Sequence, residues 1–206
     1  MKTRYAVLLV MLAVSAAVLS QKAIAGKGAS GGQDGTGGIP LPFGQSSQTL
    51  QGSVAICLNS TTFAEESCST TGAAVFPTSV LTNGVITGDA AGNSCAAVTE
   101  VDSDLPVDPS PPIVTANEHS AGKLLNYDST TGTGDASFTS YIGGTCNGAT
   151  FDSTGATKLS SGTVHFVVTD NGKRVDFLIT ALTNPAGSLG DFSLSGTNLR
   201  QTSSLF

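Results

Sequence analysis

The chain has no tryptophan, two histidines, two methionines, and charged side chains at only 12% of its positions. The two histidines, His119 and His165, are far apart in sequence and form no zinc-ligand motif. The four cysteines, Cys57, Cys68, Cys95 and Cys146, include no C-x-x-C pair, so a zinc ribbon has no ligands here. Basic residues are scarce, nine against fifteen acids. That balance disfavours nucleic acid and anionic membrane surfaces as partners. No window of ten residues shows a helical apolar period, which excludes a helical bundle. Beyond residue 25 no apolar run is long enough to cross a bilayer as a helix.

What is present begins with a targeting pattern. Lys2 and Arg4 precede an apolar stretch from Tyr5 through Leu19, and Ala23-Ile24-Ala25 matches a small-residue cleavage site. The pattern predicts a signal peptide over residues 1–25, cut before Gly26, and hence a secreted or periplasmic protein. Cleavage removes three basic residues and takes the net charge from −6 to −9. Residues 26–48 are rich in Gly and Ser and read as a flexible linker. The folded domain is expected over 49–206, with no membrane span after cleavage.

An even cysteine count in an exported chain points to two disulfides. Of the three connectivities, Cys57–Cys68 closes a short loop and Cys95–Cys146 ties distant segments, and these are the favoured pairs.

The clearest local signal is TVHFVVTDNGKRVDFLIT, Thr163 to Thr180. Asn-Gly is the preferred pair for a two-residue type I′ turn, because both positions need positive φ. A turn at Asn171-Gly172 sets Val168 opposite Val175, Phe166 opposite Phe177, and Val164 opposite Ile179. One face of the ribbon is then wholly apolar, and a one-residue slip would destroy it. Other strands are read at Leu50–Leu58, through Val75–Ile86 with a break at Pro77, at Cys95–Val101, Ala121–Tyr127, Asp135–Ile142 and Leu189–Arg200. Strands joined in order by turns predict an all-β antiparallel meander of about eight strands, closing into a barrel. A sandwich is the alternative.

Several segments, LQGSVAI, NGVITGDAAGNSCAAVTEVD, NYDSTTGTGDASF, GTVHFVVTDNGKRVDFLIT and FSLSGTNLRQ, give the chain a further likeness. In this order it resembles a group of secreted bacterial lipocalin-like β-barrel proteins. The resemblance covers most of residues 50–201 and implies an up-and-down barrel. It implies no activity and supplies no catalytic residues. The four cysteines and the Pro-rich segment depart from the pattern.

Candidate site residues are few. Phe138, Phe166, Phe177 and Phe192 are expected to point inward, where they fill the barrel or line a pocket for a small apolar ligand. His165 falls on the polar face, diagonal to Asp176, with no nucleophile placed beside it by any motif. His119 reads as exposed. Asp102, Asp104 and Asp108 read as solvated loop acids, and they lack the glycine and closing glutamate of an EF-hand. The sequence therefore assigns no catalytic residue, metal or cofactor. It leaves three readings: a binding barrel for a small apolar molecule, a structural module using its loops on a surface partner, or an enzyme of the barrel-cyclase or hydrolase kind for which only His165 with Asp176 speaks.

Overall fold

The computed structural model describes residues 38–103 and 113–200. The expected signal peptide, most of the expected linker, Asp104 and Asp108 lie outside the described residues. Ten strands follow one another: β1 (Gly44–Leu58), β2 (Ala74–Gly88), β3 (Asn93–Ser103), β4 (Ile113–Asp128), β5 (Thr133–Ile142), β6 (Thr145–Asn147), β7 (Thr150–Asp152), β8 (Thr157–Thr169), β9 (Arg174–Thr183) and β10 (Leu189–Arg200). Eight of them close an antiparallel barrel in the order β1-β10-β9-β8-β5-β4-β3-β2. Each neighbour is the next barrel strand in sequence, and β10 returns to β1. Closure leaves no free sheet edge. The short β6–β7 hairpin stands apart from the barrel sheet.

The β8–β9 register is the expected one, with Val168 on Val175, Phe166 on Phe177 and Val164 on Ile179. Asn171 (φ 51°) and Gly172 (φ 83°) supply the two positive φ values of the turn, and Lys173 N donates to Asp170 O at 3.1 Å. Asp170 is also left-handed (φ 49°), so the reversal begins one residue earlier than a minimal turn requires.

Leu50, Val54, Ile56 and Leu58 of β1, Val164, Phe166 and Val168 of β8, and Val175, Phe177 and Ile179 of β9 form one interior cluster. The outward positions between them, among them Gln51, Ser53, His165, Val167, Asp176 and Leu178, mix polar with apolar residues. No helix among the described residues is long and apolar enough to cross a membrane.

Three interior phenylalanines share one packing device. Phe166 pairs with Gly134, Phe138 with Gly162, and Phe177 with Gly196, each glycine lying on the neighbouring strand. A Cβ on Gly134 would stand 2.5 Å from Phe166 Cζ, and one on Gly162 would stand 2.7 Å from Phe138 Cε1. The missing side chain is the space into which each ring folds.

Three boundaries differ from the sequence reading. β1 starts at Gly44, and Ile39 and Leu41 already pack on the barrel; Leu41 is buried in the core. Ile39 N donates to Ser129 O, and Tyr127 Oη donates to Ile39 O, both at 2.7 Å. This segment covers the end of the barrel that carries the β4–β5 and β8–β9 turns. Second, β2 runs through Pro77 unbroken, because its pairing with β3 begins only at Ser79. The missing N–H of Pro77 therefore costs no bond to β3. Third, β4 begins at Ile113, eight residues before the expected start.

Candidate functional site

The β3 residues Ser94, Ala96, Val98, Glu100 and Asp102 are all buried, as one inward-facing row with period two. Val98 packs with Ile86 and Ala96. Glu100 pairs with Thr82 of β2, and Asp102 pairs with Val80. On the other side, Glu118 of β4 pairs with Val98 and with Ile142 of β5. Paired residues share a face, so all three acids point into the barrel. Between the pairs Val98–Glu118 and Glu100–Thr115, β4 has two residues where β3 has one, a β-bulge of the kind that re-aims side chains beside sites.

Glu100 and Glu118 are 0% exposed and Asp102 is 1% exposed. Among the described residues, no backbone N–H, hydroxyl, amide or basic side chain donates to any of the six carboxyl oxygens. The acids instead act on each other, Glu100 with both Asp102 and Glu118. Burial, reinforced by the neighbouring acids, pushes Glu100 well above the ordinary glutamate range. Burial raises Asp102 to about 7, against a lowering effect from Glu100. Burial, with the charge of Asp102, raises Glu118 to about 9. Near neutral pH Glu118 therefore keeps its proton, Asp102 is partly ionised, and Glu100 holds its proton more tightly than a solvated glutamate. That is how three acids are tolerated without a cation: a buried unpaired charge neutralises before it unfolds the protein.

Hydroxyls continue this polar interior. Thr78 and Thr82 are fully buried, and their Oγ1 atoms have no hydrogen-bond partner. Ser140 and Ser160, also fully buried, share a hydrogen bond of 2.6 Å. Val80 and Leu50, the strand neighbours of Asp102 and Thr82, belong to the apolar core. One interior thus has two halves, an apolar one lined by phenylalanine and a polar one holding the acids.

The rim beside the acids is braced. Cys57–Cys68 and Cys95–Cys146 are both formed, as the sequence favoured. Cys68 N donates to Gly187 O, and Cys57 N to Ser188 O, so the loop after β1 is laced to the loop before β10. Ser188 Oγ also donates to Glu65 Oε2 at 2.8 Å. Cys146 lies on β6 and Cys95 on β3, so the second disulfide pins the β6–β7 hairpin to the barrel wall. There Phe151 stacks on Tyr141, ring centroids 4.6 Å apart, with His119 at 6.1 Å.

Phe138, Phe166 and Phe177 are buried in the main core, and Phe192 is partly buried against it. His165 is exposed, and its Nδ1 lies 2.9 Å from Asp135 Oδ1. Its expected neighbour Asp176 is held instead by Arg174 and Thr197. Two expectations are corrected. His119 is buried under the β6–β7 hairpin, because the disulfide brings Phe151 over it. Asp102 is an interior strand residue, because β3 runs two residues past Val101. Among the described residues, no three His, Cys, Asp or Glu side chains are grouped closely enough to hold a metal ion.

The fold and this interior define the class: a closed, eight-stranded, antiparallel β-barrel with an acid-bearing polar half. No family model, curated protein or solved structure matches the chain.

Proposed function

We propose that this chain is an exported, lipocalin-like binding barrel that holds a small molecule in the polar half of its interior. The observation that carries the reading is the set of Glu100, Asp102 and Glu118, buried with no partners but one another among the described residues. Buried polar groups in native proteins are normally satisfied, and exceptions point to function or to an absent partner. A packing role does not account for them, since aliphatic side chains of similar volume would fill the space without desolvating acids. The segment over residues 38–43 covers one end, so a ligand enters from the end carrying the disulfide-braced loops. Export follows from the signal-peptide pattern and fits two disulfides. In this reading Phe138, Phe166, Phe177 and Phe192 form the apolar wall of the ligand's compartment.

Native mass spectrometry of the mature protein, recovered from the medium or periplasm of an expressing bacterium, tests this directly. The expected spectrum shows the chain from Gly26 with two disulfides and a co-purified small molecule. A mature mass with nothing bound, before and after incubation with a metabolite extract, would refute it.

A further inference from the structure

The chemistry of the interior narrows what the ligand can be. We infer that the barrel binds a small aliphatic amine as its ammonium cation, between Glu100, Asp102 and Glu118, with Thr82 as a further acceptor. The inference rests on the binding reading above and names its ligand class.

Three features lead there. Apart from the contact between Glu100 and Asp102, no donor among the described residues reaches the carboxyl oxygens, and no Lys, Arg or His pairs with them. An independent observation points the same way. Thr82 Oγ1, fully buried and unpartnered, is the direct cross-strand neighbour of Glu100 on the inward face. A buried threonine usually finds a partner in the backbone of its own strand or the next; this one has none, and its hydroxyl can accept an N–H. An ammonium group brings up to three N–H donors and the charge that the acids lack.

A divalent metal fits less well. Calcium needs six to eight oxygens at about 2.3–2.6 Å around one point, and the described acids do not converge as a metal group. Hydrogen bonds from an ammonium tolerate the spread, because each N–H can reach its own acceptor. An apolar wall adjoins the acids at Val80 and Leu50, which suits methylene groups. An anionic ligand would be repelled wherever an acid is ionised, and a purely apolar one would leave the carboxyl hydrogen-bonding groups unused.

The acids come from two strands, Glu100 and Asp102 on β3 and Glu118 on β4 beside Val98. Three acids offer more counter-charge than one ammonium uses, which favours a diamine. When the amine binds, the acids ionise and their protons pass to the buffer; no covalent bond forms or breaks.

Isothermal titration of the mature protein at pH 7.5 with 1,4-diaminobutane, butylamine, 1-butanol and calcium chloride tests the inference. The diamine is expected to bind one-to-one and more tightly than butylamine, with 1-butanol and calcium silent. The apparent enthalpy should differ between phosphate and Tris buffers, reporting proton release. Glu118→Gln is expected to weaken diamine binding at least tenfold. Thr82→Val, which keeps the shape of the side chain, should weaken it severalfold without changing the fold. Calcium binding with silent amines, 1-butanol binding as well as butylamine, or an unchanged affinity in Thr82→Val would each overturn the inference. A bound nitrogen-free molecule in the native mass spectrum would also overturn it, yet leave the binding reading standing. An empty barrel that takes neither amine nor metabolite would remove both.

Discussion

Replacing Glu118 by glutamine should stabilise the protein, and only above acid pH. Glutamine keeps the shape of a protonated glutamate but cannot ionise. In the unfolded chain Glu118 loses its proton near the ordinary glutamate value; in the barrel it holds it to about 9. Its folded pKa is raised, so its contribution is fully present below the unfolded pKa and is lost as pH rises towards the folded one. At pH 7 the unfolded glutamate has ionised and the folded one has not, so folding must take up a proton. One proton costs about 1.4 kcal/mol per pH unit. Over the gap between the unfolded value and pH 7 this comes to roughly 3–4 kcal/mol, a ceiling if the barrel relaxes around the charge. For a domain of this size that corresponds to about 7–14 °C in Tm. Thermal melts followed by circular dichroism at pH 4.5, 7 and 9 should show wild type and variant nearly together at pH 4.5. They should separate in favour of the variant at pH 7, and further at pH 9. A difference in Tm that stays constant across the three pH values would refute the reasoning, because glutamine would then be acting through packing alone.

Other perturbations probe the scaffold. Gly134→Ala should cost about 1–3 kcal/mol, because the new Cβ would meet Phe166 Cζ and Asn126 O, both at 2.5 Å; chemical denaturation would read this, and adding Phe166→Leu should recover part of the loss. Cys95→Ser with Cys146→Ser opens a link across 51 residues and should remove about 2–4 kcal/mol. It should also expose His119 and Phe151 while the barrel stays closed, as amide exchange of β3 and β4 would report. Leu41→Ala should cost about 2–4 kcal/mol and speed amide exchange at the β4–β5 and β8–β9 turns, since Leu41 sits in the core.

Much of the architecture was legible because period-two alternation and turn chemistry agreed with it. Asn171-Gly172 fixed one hairpin to the residue, and the order of strands and turns gave the meander. The disulfides followed from an even count and from strand order. The acids were hidden for a physical reason. Around Val98-Thr99-Glu100-Val101-Asp102, apolar and acidic residues occur on alternate positions of a strand with no uniformly apolar face. Nothing local says that Glu100 turns inward and Val101 does not. The orientation is set by pairing with Thr82 and Val80 across the sheet. Glu118 was missed because the start of β4, beside a proline-rich segment, looks like loop. Ile39 and Leu41 were missed because glycine and proline around them mask two core residues. The β6–β7 hairpin, three residues a side, is too short to show a period. A usable clue was the run of small and polar residues at Ser120, Ser140 and Ser160, which marks a barrel interior only half filled by hydrocarbon.

The central claim is that the barrel encloses acids which burial keeps protonated near neutral pH. Titration of the side-chain carboxyl 13C signals by NMR, assigned with Glu100→Gln, Asp102→Asn and Glu118→Gln, measures this most directly. The account predicts a midpoint near 7 for Asp102, one near 9 for Glu118 and one well above the ordinary glutamate range for Glu100 in the ligand-free protein. Three midpoints at or below about 4.5, the range of solvated acids, would contradict it.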